Sequence, residues 1–272
     1  MLKTRIITSL FLIPSFFAAL FLLPSMVWAG LLLGISIIAL YEWAQMIKLG
    51  KIATQLYLLA TIVSGTIILW FANQFGSHWL VYRSLDLFII ASVFWLLAVP
   101  FLLCKNKRIK HPLINVIIGW LLVLPLWLSL VCLRIADPWL LLGLTATVWI
   151  ADSAAYFAGK QFGKHKLAPT ISPGKTWEGV LGGLFAVTIY GCVLAAYFAL
   201  PVLVTLLILW VMTILSVVGD LFESMMKRQS NLKDSGNILP GHGGILDRID
   251  GLTSSLPIAV LMIYIYSLLH AA

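Results

Sequence analysis

The sequence predicts an all-α, polytopic integral membrane protein of about nine transmembrane helices, and three observations point there. Of its 272 residues, 61% are hydrophobic and only 10% charged, with a mean hydropathy of +1.03; a soluble domain carries about 25% charged residues. Long apolar stretches recur, each near the roughly 20 residues a helix needs to cross the hydrocarbon core. Lysine and arginine collect in alternate loops between those stretches, as the positive-inside rule requires.

Apolar periodicity and length place the spans near 6–23, 26–47, 55–72, 85–104, 113–133, 138–158, 179–200, 201–223 and 253–270. Lys3 and Arg5 precede an apolar run ending at Val27, Trp28 and Ala29, which loosely resembles a secretory signal. That run is long for a signal's apolar region and a second span follows at once, so it reads as the first helix. Of the 18 basic residues, all but Arg83 and Arg134 fall in the set of loops that includes the amino terminus. This segregation puts the amino terminus in the cytoplasm and the carboxyl terminus in the periplasm.

Cys104, Cys132 and Cys192 sit singly in apolar stretches, which argues against a disulfide framework or a thiolate zinc site. The net charge of +8 is explained by membrane orientation, so no nucleic-acid partner is expected. Seven of the ten acidic residues (Asp152, Glu178, Asp220, Glu223, Asp234, Asp247 and Asp250) lie from the sixth span onward. Residues 1–134 therefore read as structural helices one to five, and residues 135–272, helices six to nine with two cytoplasmic loops, as the region where chemistry is placed. Glu42 and Asp86, near the ends of helices two and four, read as packing or snorkelling residues.

Chemistry concentrates in three places. The uncharged residues 201–219 span about 28 Å as a helix, which brings Asp220 to the cytoplasmic interface. Asp220, Glu223, Ser224 and Lys227 then share a helical face; the alternative is a solvated helix end. Asp152 follows only about 21 Å of helix from Pro138, inside the bilayer's cytoplasmic half, with Tyr156 on its face at i+4. The run Ser172-Pro173-Gly174-Lys175-Thr176-Trp177-Glu178-Gly179 contains Gly-Lys-Thr, but Pro169 stands where a P-loop needs its first glycine. What remains is Ser172, Lys175 and Thr176 ahead of helix seven, an anion-binding arrangement or an N-cap with topology-setting lysines.

The third place is the run from Ser224 to Asp250: Lys227-Arg228, Lys233-Asp234, Gly236, Leu239-Pro240, His242-Gly243-Gly244-Ile245 and Asp247-Arg248-Ile249-Asp250. It resembles, at every defined position, the signature of the phosphatidate cytidylyltransferase (CDP-diacylglycerol synthase) family. Asp152 to Gly159, Phe162-Gly163-Lys164, Ser172 to Gly179 and Gly219 to Ser224 are similar to the same family. The resemblance is strong over residues 140–255, while the first hundred residues match only as apolar helices.

The resemblance implies a divalent-metal-dependent reaction of CTP with phosphatidic acid at the cytoplasmic face of the bacterial inner membrane, by an all-helical homodimer among membrane lipids. Hard carboxylates suit Mg²⁺, with Mn²⁺ as a substitute, and Asp220, Asp247 and then Asp250 are the chosen ligands. A second, monovalent ion is compatible with the family's pattern. Asp220, Asp247, Lys227, Arg228 and Asp152 are assigned to catalysis. Ser172, Lys175, Thr176, Glu178, Tyr156, Glu223, Ser224, Lys233, Asp234, His242, Gly243, Gly244 and Arg248 are assigned to substrate binding. For the lysines and arginines the alternative is a pure topology signal, and for the glycines a tight turn. An anion carrier would need inverted repeats, and none is visible. The CDP-alcohol phosphotransferase pattern is missing.

Overall fold

The structure, a computed structural model, describes residues 2–106, 108–238, 241 and 243–270. Among them are nine long helices: α1 (Leu2–Leu22), α2 (Ser25–Met46), α3 (Lys51–Phe75), α4 (Ser77–Lys105), α5 (Pro112–Ala136), α6 (Pro138–Phe162), α7 (Trp177–Tyr197), α8 (Val202–Gln229) and α9 (Leu246–His270). Eight are long and apolar enough to cross a membrane, and α1 contributes the shorter apolar stretch Leu10–Leu22. The all-α polytopic expectation holds. Between α6 and α7 lies an unforeseen antiparallel ribbon of β1 (Lys166–Ala168) and β2 (Ser172–Thr176).

Proline and glycine set many of the boundaries. Pro24 precedes α2, Pro112 and Pro138 open α5 and α6, and Pro201 precedes α8, all positions where a missing N–H is harmless. Gly76, at φ 83°, ends α3. In α4, Phe94–Ala98 widens into a π turn just before Pro100, which has no N–H to continue the ordinary ladder. Several buried hydroxyls return to their own helix, as Thr61 does to the Tyr57 carbonyl at 3.0 Å, so they do not stand unsatisfied in apolar surroundings.

The chain divides into two compact units that alternate along the sequence: residues 1–87, 107–140 and 226–249, and residues 88–106, 141–225 and 250–272. In the first, α2 lies against α3 and α5. Its indoles are fixed by backbone carbonyls: Trp43 donates to Asn115 at 2.8 Å and Trp127 to Ala29 at 3.0 Å. A Cβ at Gly119 would lie 2.5 Å from Trp43 Cδ1, so glycine there admits the ring to α5. Arg134 is 9% exposed and donates to the carbonyls of Leu20 and Leu23, where α1 ends. That capping role explains a cation lying outside the basic loops.

In the second unit, Phe222 meets Phe94 and Trp95 edge-on at 5.9 and 5.7 Å. Ser254 donates to the Leu215 carbonyl at 2.7 Å, and a Cβ on Gly219 would lie 2.5 Å from its Oγ. α6 and α7 approach through glycines: a Cβ on Gly179 would be 2.8 Å from the Ala155 carbonyl oxygen, and one on Gly183 3.0 Å from that of Ala151. Small residues permit such backbone contact, the usual device for packing helices in lipid.

Candidate active site

The ribbon carries Lys175 to Asp220. Its register pairs Lys166 with Thr176 and Ala168 with Ser172, and Trp177 donates its N–H to the His165 carbonyl at 3.0 Å. Thr176, buried, caps α7 by accepting the Gly179 N–H at 3.1 Å. Glu178, in the first turn of α7, accepts from His165 Nδ1 at 2.6 Å and from its backbone N–H at 3.2 Å, tying the start of the ribbon to the helix. So held, Lys175 places its ammonium 2.7 Å from Asp220 Oδ2. Ser224 donates to Asp220 Oδ1 at 3.2 Å, closing the i, i+4 relation foreseen on α8.

Asp152 lies in the same unit, near enough to Lys175 and Asp220 to feel their charges. Asp152 and Tyr156 are both exposed and share a helical face without a hydrogen bond between them; the Tyr156 ring meets Phe157 edge-on at 5.5 Å. Ser172 is half-buried at the start of β2, and Glu223 is buried on α8.

The first unit holds a second lysine–carboxylate pair. Lys227 Nζ lies 2.7 Å from Asp247 Oδ1 across 20 residues of chain, with side chains 13% and 9% exposed. Asp247 Oδ2 also accepts the backbone N–H groups of Ser235 and Gly244, each at 2.9 Å. Gly243, at φ 83°, makes the turn that aims the Gly244 N–H, and a Cβ on it would sit 2.8 Å from Asp247 Oδ2. Arg228, Lys233, Asp234 and Arg248 are exposed. His242 lies outside the described residues. α9 begins at Leu246, so Asp247 stands in its first turn, where the helix dipole favours anions, and Asp250 follows on the next.

Among the described residues no group of three or more His, Cys, Asp or Glu side chains is gathered as for a metal ion. The donor chemistry nevertheless suits Mg²⁺, which takes only oxygen and often just one or two protein carboxylates, completing its shell with water and substrate phosphates. Of the two aspartates expected to meet a metal, Asp220 is the more open, at 37% side-chain exposure with one lysine and one hydroxyl on it. Asp247 has less spare capacity, because its oxygens already serve one ammonium and two backbone amides.

Sequence reasoning passed over three participants. His165 orients Glu178; Ser235, buried, donates its N–H to Asp247; and Glu42 accepts from Ile245 N at 3.0 Å and Leu246 N at 2.9 Å. For Glu42 a signal was present, since a carboxylate inside an apolar helix is itself a reason to look for a partner.

The Cytidylyltransferase family profile matches residues 3–266. A phosphatidate cytidylyltransferase of Haemophilus influenzae is 36% identical, the alignment covering 94% of this chain and 96% of that protein. One of Pseudomonas aeruginosa is 36% identical, covering 97% of both. One of Bacillus subtilis is 44% identical over a shorter stretch, 44% of this chain and 45% of its own. A match this long, on a chain whose signature closes through Lys227 and Asp247, shows that the protein belongs to the cytidylyltransferase family.

Proposed function

We propose that the chain transfers the cytidylyl group of CTP to phosphatidate, giving CDP-diacylglycerol and pyrophosphate. The observation that carries this reading is the closed signature segment, in which Lys227 reaches Asp247. Full-length relatives that bear the phosphatidate cytidylyltransferase name support it.

In this reaction a phosphate oxygen of the lipid attacks the α-phosphorus of CTP. One P–O bond forms, the bond to the β-phosphate oxygen breaks, and pyrophosphate leaves with that electron pair. The nucleophile is already an anion near neutral pH, so the obstacle is charge repulsion and alignment, and no strong general base is needed. Lys175, Lys227, Arg228, Lys233 and Arg248 supply fixed and mobile positive charge, arginine as a bidentate fork and lysine as a point charge. Carboxylates hold Lys175 and Lys227 extended, ready to exchange a carboxylate oxygen for a phosphate oxygen.

Asp220, Asp247 and Asp250 are the residues that would hold Mg²⁺ or Mn²⁺, with Asp152 contributing further negative charge. The ion's chemistry there is neutralisation of the triphosphate. Ser172, Thr176, Tyr156, Ser224 and Lys175 of the second unit bind substrate in this reading, as do Asp234, His242, Gly243 and Gly244 of the signature segment. Glu178, tied to His165 in the first turn of α7, and Glu223, buried on α8, are further substrate-binding residues in this reading. The enzyme works as a homodimer in the bacterial inner membrane, with this chemistry on the cytoplasmic face, as the basic loops argue. Protein purified in detergent and given radiolabelled CTP, Mg²⁺ and phosphatidate is expected to form a labelled liponucleotide, and none without phosphatidate. Folded protein that makes no such product overturns the reading.

A further inference from the structure

Glu42 belongs to the amino-terminal helices, yet its side chain is spent on the signature loop. It is 2% exposed on α2, where a carboxylate lacking hydrogen bonds would be strongly destabilising. Both oxygens are engaged. Oε1 accepts the Ile245 N–H at 3.0 Å; Oε2 accepts the Leu246 N–H at 2.9 Å and the Ser235 hydroxyl at 3.4 Å. These amides open α9 and have no partner inside it, so Glu42 caps that helix from another part of the chain and meets its dipole with a negative charge.

Two further features fit the same carboxylate. A Cβ on Gly236 would lie 2.5 Å from Glu42 Oε1, and one on Gly244 2.6 Å from Oε2, so both signature glycines leave room for it. Ser235 joins the two acids: its hydroxyl donates to Glu42 and accepts the Asp247 N–H at 3.3 Å, while its own N–H donates to Asp247 Oδ2. Glu42 and Asp247 thus both hold Ser235, and together they hold the backbone of residues 244–246.

We infer that Glu42 is a positioning residue for the cytidylyl transfer: it holds the glycine turn that presents Asp247 and its partner Lys227. The inference rests on the role proposed for Asp247. Glu42→Gln keeps the size but turns an NH₂ toward N–H donors whichever way the amide faces. Turnover of CTP and phosphatidate is expected to fall by about tenfold or more, with KM for CTP changed by less than about threefold. In metal-free protein, amide exchange over residues 243–249 should speed up by at least about tenfold while α3 keeps its protection.

If Glu42→Gln does not fold, Ser235→Ala reads the same link, with faster exchange over that segment and slower turnover. If both fold, combining them should cost less than the product of the single losses, because they act on one chain of bonds. A parent protein that makes no liponucleotide sinks the functional reading. With an active parent and an inactive Asp247→Asn control, parental turnover and exchange in Glu42→Gln, or in Ser235→Ala where only that variant folds, overturn the Glu42 inference alone.

Discussion

Among the described residues each of the two units holds a lysine–aspartate contact of 2.7 Å, and these two contacts differ in almost everything else. Lys227 and Asp247 are 13% and 9% exposed, and the aspartate also takes two backbone amides; Lys175 and Asp220 are 23% and 37% exposed, with a single added hydroxyl. Pair length therefore says little about pair strength. Desolvation and the number of fixed donors decide how tightly a carboxylate is held, because water screens the exposed pair and competes for its oxygens. Asp247 is built into the fold, whereas Asp220 remains available to an incoming cation or phosphate-bound metal.

The sharpest way to break this comparison is to neutralise each acid in turn. Asp247→Asn and Asp220→Asn should each lower turnover on the order of 100-fold or more, since both remove charge that the reaction needs. Stability should separate them: Asp247→Asn costs about 3 kcal/mol by removing a largely buried charge that an ammonium and two backbone amides hold, and Asp220→Asn less than about 1 kcal/mol. Thermal unfolding in detergent beside the activity assay checks both; equal stability losses would erase the distinction. Next in size, Gly243→Ala should destabilise by about 1–2 kcal/mol, through a left-handed φ that alanine resists and a methyl group pressed on Asp247.

Thr176→Ala removes the cap of α7 and should cost about 1 kcal/mol, with a modest loss of turnover because the ribbon delivering Lys175 loosens. The smallest effect belongs to the coupling of Lys175 with Asp220. A double-mutant cycle should return less than about 1 kcal/mol, falling further in high salt, against a larger value for Lys227 with Asp247. A salt-insensitive coupling at the exposed pair would reverse the comparison.

Most of the helical framework was legible because span length and hydropathy are local properties. The extension of α8 to Gln229 could be read from the spacing of Asp220, Glu223, Ser224 and Lys227. The start of α9 could be read only conditionally: Asp247 and Asp250 would share a face if helical but look like loop by hydropathy, yet an acid in the first turn, as Asp247 is, is favoured by the helix itself. The ribbon was hidden because β2 reads Ser-Pro-Gly-Lys-Thr, a turn composition, and becomes a strand only by pairing at an edge. Glu42 reaches amides 203 and 204 positions away, a relation that leaves no periodic trace in a single chain.

The glycine joint between α6 and α7 has a consequence for the surrounding lipid. Where carbonyl oxygens face bare α-carbons at such short range, no methylene chain can wedge itself into the seam. That flank is sealed to the acyl tails of the bilayer, so under the proposed reaction a diacyl substrate would enter somewhere other than this seam.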